Sequence, residues 1–107
     1  MKQSEVLKSL AALSQANRLK AFRALVMAGP AGTTPSEIAR RLKVQPATLS
    51  FHLKELMNAG LVTQERDGRH LIYRADYVRM GSLLAYLTEN CCTGPQASTP
   101  TRDACGC

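Results

Sequence analysis

The most distinctive chemistry available to this sequence is that of its four cysteines, Cys91, Cys92, Cys105 and Cys107, all of which fall in the last seventeen residues. A secreted disulfide scaffold spreads its cysteines through the domain to staple loops. Here they crowd at one end, and the N-terminal MKQSEVLKSL is polar and amphipathic rather than a basic stretch leading into an apolar block. No apolar run approaches the length needed to span a bilayer. The thiols therefore read as a site in a soluble cytoplasmic protein. Thiolates are soft donors, so they could ligate a soft ion, or a proximal thiol could be oxidised to a disulfide with a distal one. No acid–base pair or nucleophile–base arrangement accompanies them, which argues against an enzyme.

The second feature is charge. Fourteen Lys and Arg stand against eight Asp and Glu, a formal balance of +6, and the excess lies before residue 91 because only Arg102 and Asp103 follow. That balance suits a polyanion such as nucleic acid, provided a motif presents it.

Stepping along the chain supplies the motif. Val6, Leu7, Leu10 and Leu13 recur at helical spacing and predict a first helix over Glu5–Leu13 with one apolar stripe. Ser14 is the expected N-cap of a second helix carrying Leu19, Phe22, Leu25 and Val26, stopped by Gly29-Pro30. Thr34-Pro35-Ser36-Glu37 has a capping Thr, Pro at the first helical position and Glu three residues after the cap. It starts a short third helix with Ile38, Ala39 and Leu42 inward. After a turn at Lys43-Val44-Gln45, Pro46 opens a fourth helix with Leu49, Leu53, Leu56 and Met57 on one side, ending at Gly60. Two short runs, Leu61-Val62-Thr63 and Leu71-Ile72-Tyr73, flank an Asp67-Gly68 pair and predict a β-hairpin. Asp76 is the expected N-cap of a last helix reaching about Glu89, with Met80, Leu83, Leu84 and Leu87 as a second unpaired stripe. The segment TGPQASTPTRDA is rich in Gly, Pro, Ser and Thr and is expected to be disordered without a ligand. The expected fold is mainly α with a small β-hairpin, a winged helix-turn-helix that dimerises through its first and last helices. Residues 1–90 form the DNA-binding and dimerisation domain, and residues 91–107 a flexible cysteine-containing tail.

The segment Leu49-Ser50-Phe51-His52-Leu53-Lys54-Glu55-Leu56, with Ala59-Gly60-Leu61-Val62 and Arg69-His70-Leu71-Ile72-Tyr73, resembles the ArsR/SmtB family of metal-responsive repressors. The resemblance covers roughly residues 4 to 92. It implies a homodimeric repressor that binds double-stranded operator DNA.

Independently of the family, Ala47, Ser50, Phe51 and Lys54 share the face of the fourth helix opposite its leucines, with Thr48 flanking. Small and polar residues near a helix N-terminus allow entry into a major groove. Gln45, Thr48 and Ser50 are the expected hydrogen-bonding residues, Ala47 or Phe51 the thymine-methyl contact, and Lys54, Arg66 and Arg69 the phosphate contacts. Any one of these cations reads equally well as a solvated charge; as a set they favour DNA. His52 is expected to be a hydrogen-bonded packing residue, and His70 a hairpin surface residue.

The resemblance also bears on the sensor. Some members carry a Cys-x-Cys pair on the third helix, where this chain reads Glu37-Ile38-Ala39-Arg40-Arg41, and others build a zinc site with His on the last helix, where this chain has none. Tyr86 to Cys92 is similar to the end of arsenite-responsive members that use adjacent cysteines plus one further thiol. Among soft ions, zinc with four thiolates would make a dianion, whereas trivalent arsenic or antimony with three thiolates is neutral. The roughly half negative charge of a helix C-terminus disfavours the former and tolerates the latter. Arsenite As(III) is therefore the expected inducer, with antimonite Sb(III) beside it and no organic cofactor. Cys91 and Cys92, with Cys105 or Cys107 as the further thiol, are the expected ligands. A twelve-residue spacer has a root-mean-square span of about 20 Å, enough for an intrachain or an interchain site. The alternatives are a thiol-redox-sensing repressor of the same fold and a soft-metal carrier whose helix-turn-helix binds protein.

Overall fold

Residues 1–91 are described by the computed structural model. They form α1 (Gln3–Leu13), α2 (Ala16–Ala28), α3 (Pro35–Leu42), α4 (Pro46–Asn58), β1 (Val62–Asp67), β2 (His70–Ala75) and α5 (Tyr77–Leu87), a winged helix-turn-helix in the order that the periodicities predict. Among these residues no helix is long and apolar enough to cross a membrane.

The apolar spacing explains the packing. α2 runs against α1, α3, α4 and β2. It contributes Ala21, Phe22 and Leu25 to a core completed by Ile38, Leu49, Leu53, Leu56, Leu61 and Val62. Leu25, Leu53, Leu56 and Leu61 are fully enclosed, each burial stabilising the fold by about 1.5–3 kcal/mol.

Several element ends differ from expectation for local reasons. α1 starts two residues early, and the Lys2 N–H donates to Glu5 Oε1 at 2.8 Å. Ser14 does not cap α2. It closes α1, its hydroxyl donating to the Ala11 carbonyl at 2.8 Å, while Gln15 Oε1 accepts the Arg18 N–H at 2.9 Å. With a connection this short, the residue nearer α1 serves the outgoing carbonyls and its neighbour the incoming amides. Thr34 caps α3 as expected, accepting the Glu37 N–H at 3.4 Å. The Glu37 carboxylate pairs forward with Arg40, at 3.2 Å from Nε, because a guanidinium one turn on is a stronger partner than the N-cap amide.

In the hairpin, Val62 faces Ala75 and Asp67 faces His70, so the two loop residues are Gly68 and Arg69 rather than Asp67 and Gly68. Gly68 has φ +63°, placing the left-handed residue first in the loop, as a primed turn with leading glycine requires. The base of the hairpin is held to the loop before α3: Thr33 and Tyr73 exchange backbone hydrogen bonds of 3.0 and 2.8 Å.

α5 begins where expected, with Asp76 Oδ1 accepting the Arg79 N–H at 3.0 Å, but ends at Leu87 rather than Glu89. Turns then carry the chain to Cys91, with Asn90 at φ +61° and the Cys91 N–H donating to the Thr88 carbonyl at 2.8 Å. The two terminal stripes divide. Val6 and Leu83 are buried and Leu13 and Met80 pack on the core, while Leu7, Leu10, Leu84 and Leu87 stay exposed. α1 and α5 pack on each other, which covers one edge of each stripe.

Candidate functional site

α4 is fixed from behind by Leu49, Leu53 and Leu56, and this decides which side chains its other face presents. Gln45, Ala47, Thr48, Ser50, Phe51 and Lys54 are all exposed. Gln45 occupies the N-cap position, is exposed, and makes no side-chain cap hydrogen bond. Phe51 is 55% exposed, an unusual setting for an aromatic ring on a helix with an enclosed core face available. The face combines an amide, two hydroxyls, two apolar surfaces and one cation, the set of groups that reads base edges and methyls.

Arg66 and Arg69 are exposed on the hairpin, Arg66 opposite Leu71 and Arg69 in the loop. The ion pairs among the described residues are Arg18–Glu55, Arg40–Glu37, Arg74–Glu65 and Arg79–Glu5, so none engages Lys54, Arg66 or Arg69. Among the described residues these three exposed cations have no carboxylate in ion-pair range.

A cleft of about 600 Å³ lies between α3, α4 and the hairpin and brings Ser50 and Arg69 to one concavity. Ala47, Thr48, Phe51, Lys54, Gln45 and Arg66 do not line it. Thr34, Ser36, Arg40 and His70 do, and sequence reasoning gave none of them a contact role. The signal is present in part: the sequence marks Thr34 as a cap, and a capping hydroxyl with a second hydroxyl, Ser36 Oγ, 3.2 Å away makes a polar helix start. Spatial proximity to the loop arginine could not be read from spacing. Glu37 beside this cleft is held below the usual carboxylate range, first by the hydrogen bond from Arg40. His70 is exposed, as expected; His52 is buried, as expected of a packing residue, although its Nδ1 makes no hydrogen bond among the described residues.

Cys91 is exposed just beyond α5. Cys92, Cys105 and Cys107 lie outside the described residues, as does the segment TGPQASTPTRDA. Among the described residues no three His, Cys, Asp or Glu side chains gather as a metal site. The electrostatic setting of Cys91 is that of a helix C-terminus, with the Leu84 carbonyl accepting from Thr88 and the Tyr86 carbonyl from Glu89. A site assembled here meets partial negative charge.

Comparison with known proteins places the fold in a family. A family model described as a helix-turn-helix domain matches residues 13–65. The HTH-type transcriptional regulator YbzH of Bacillus subtilis is 36% identical over 56 residues, 52% of this chain and 56% of that protein. A second curated relative from the same organism is matched over only 18% of its length, so the chain spans about half or less of these two relatives. Among solved structures, an ArsR-like transcriptional regulator from Rhodococcus sp. RHA1 is 31% identical with a TM-score of 0.70, covering 81% of this chain and 78% of that one. A possible transcriptional regulator for arsenical resistance is 28% identical with a TM-score of 0.66, covering 75% of this chain and 80% of that one. With this fold, this recognition-helix face and these matches, the chain belongs to the ArsR-like family of winged helix-turn-helix transcriptional regulators.

Proposed function

We infer that this protein is a metalloid-responsive repressor, which binds operator DNA as a homodimer and leaves it when arsenite, or antimonite, is held by its C-terminal thiols. The observation that carries the DNA half is the exposure of Gln45, Ala47, Thr48, Ser50, Phe51 and Lys54 at the start and along one face of α4, together with Arg66 and Arg69 on the hairpin. Lys54, Arg66 and Arg69 stand outside the ion pairs of the described residues, so their charge is available to phosphates. In this reading α4 enters the major groove, Thr48 and Ser50 bond base edges, and the loop Arg69 holds the flanking backbone.

The sensing half rests on the four thiols and on the setting of the first of them. Cys91 and Cys92, with Cys105 or Cys107 as third donor, form a neutral trigonal complex with As(III), which a helix C-terminus tolerates better than a dianionic zinc tetrathiolate. One structural neighbour, a possible transcriptional regulator for arsenical resistance, points the same way. Leu7 and Leu10 on α1 and Leu84 and Leu87 on α5 leave an exposed apolar surface suited to a second copy, which would set two recognition helices on an imperfect palindrome.

The experiment is a titration of the reduced, metal-free protein on a fluorescent fragment of the DNA upstream of its own coding sequence. Tight binding without metalloid and release by arsenite at thiol-equivalent concentrations support the reading. No binding to DNA at low salt would contradict the first half, and release by oxidant but not by arsenite the second.

A further inference from the structure

The thiol end of α5 and the DNA-facing surface of α4 lie on different elements, so any regulation needs a joint between them. The joint is visible at the other end of α5. Arg79, in the first turn of that helix, is fixed at its backbone by the Asp76 cap. Its Nη1 donates to Glu5 Oε2 of α1 at 3.0 Å. The Nε–Nη2 edge of the same guanidinium lies against Gly60, two residues past the end of α4. A Cβ at position 60 would stand 2.6 Å from Nη2 and 2.7 Å from Nε, so this seat exists only because the residue is glycine. Gly60 has φ +80°, a conformation in which other residues are strained, and this reinforces the requirement.

Beside it, the Asp76 N–H donates to the Leu61 carbonyl at 2.8 Å, so the start of α5 is bonded directly to the exit from α4. A cation at a helix C-terminus is favoured by the partial negative charge there. One planar group thus touches the end of the recognition helix, the first helix and the helix that delivers Cys91. Its side chain is 28% exposed, so these contacts are polar and partly wet, able to break and re-form without opening the core.

We propose that Arg79 is the positioning residue that couples α5 to α4: it transmits the displacement of α5 to the recognition helix when the thiols are filled, without setting the affinity of either site alone. The proposal rests on the functional reading above, and it names the contact through which that regulation passes. Lysine cannot replace arginine in this role, because an ammonium is a point charge and the seat uses two edges of a planar fork.

The test compares wild type with Arg79→Gln and Arg79→Lys, using arsenite and the upstream DNA fragment as probes. Four quantities are read: operator affinity without metalloid, arsenite affinity without DNA, the ratio of operator affinities with and without arsenite, and Tm. For wild type the ratio should reach about 100-fold, toward the top of the usual range for coupled sites. In both variants operator and arsenite affinities should each stay within about 3-fold of wild type while the ratio falls below about 5-fold. A purely structural role would lower Tm and leave the ratio intact, and that result overturns the proposal. If Arg79→Gln and Arg79→Lys do not fold, Glu5→Ala removes only the α1 side of the joint. It should reduce the ratio by at least about 5-fold, and an unchanged ratio overturns the proposal equally. A wild-type protein that binds DNA but ignores arsenite would show instead that the functional reading has failed.

Discussion

Arg69 occupies the second loop position of the hairpin, and an arginine there, exposed and without an acidic partner among the described residues, has one strong use for its charge. Arg69→Ala is predicted to weaken binding on operator and random DNA alike and to reduce the salt slope by about 1, as loss of one phosphate contact does. Titrations at several salt concentrations check this, and an unchanged slope removes Arg69 from the interface. Glu5 makes a second residue-scale prediction. Its carboxyl is held below the ordinary glutamate value of 4.5, first by the Lys2 backbone N–H and then by Arg79. A carboxylate depressed in the folded state stabilises fully above its unfolded value and loses that contribution as pH falls through the folded one. Between about pH 5 and pH 3, wild type should therefore lose more Tm than Glu5→Gln, and equal losses would show that the contact carries no linkage. Residue types and spacing identified the exposed face of α4 and both hairpin arginines. They could not identify Thr34, Ser36, Arg40 or His70 as lining the cleft with Ser50 and Arg69, because that meeting depends on how the hairpin leans over α3.

At the scale of elements, the recognition helix depends on its hidden side. Leu53 is fully enclosed on the core side of α4, away from the face that exposes Ser50 and Lys54. Leu53→Ala is predicted to destabilise the fold by about 2–5 kcal/mol, measured by chemical denaturation, because the transfer loss adds to a cavity that the packed helices cannot close. A loss under about 1 kcal/mol would mean that the helix is not fixed through this contact. The order and type of the elements were legible because periods of 3.6 and 2 leave different traces in the apolar residues. Their ends were less so. Ser14 and Gln15 both carry groups able to cap, and only the tertiary path assigns the first to α1 and the second to α2. The same competition sends Glu37 to Arg40 and shifts the hairpin loop by one residue, since Asp67 can sit in the strand while Gly68 alone needs a positive φ.

For the whole molecule, the sequence predicts wholly unpaired stripes on α1 and α5, and the fold instead divides them between its own core and solvent. What remains outside, Leu7, Leu10, Leu84 and Leu87, is the surface that the proposed dimer would bury. A charge there should separate the copies: Leu84→Glu is predicted to give a folded monomer by analytical ultracentrifugation, with operator affinity lowered at least about 100-fold because one recognition helix reads only one half-site. A dimer of unchanged strength would place the interface elsewhere. In the proposed function, sensing and DNA binding occupy separate parts of one chain, the thiols at the C-terminal end and the reading face on α4. Its most direct test is to titrate arsenite into complexes of upstream DNA with wild type, Cys91→Ser and Cys92→Ser, following anisotropy of the labelled DNA. All three should bind the DNA equally without arsenite, and only wild type should release it, since a hydroxyl is a poor ligand for a soft metalloid. Release of Cys91→Ser and Cys92→Ser at the same arsenite concentration as wild type would contradict the account.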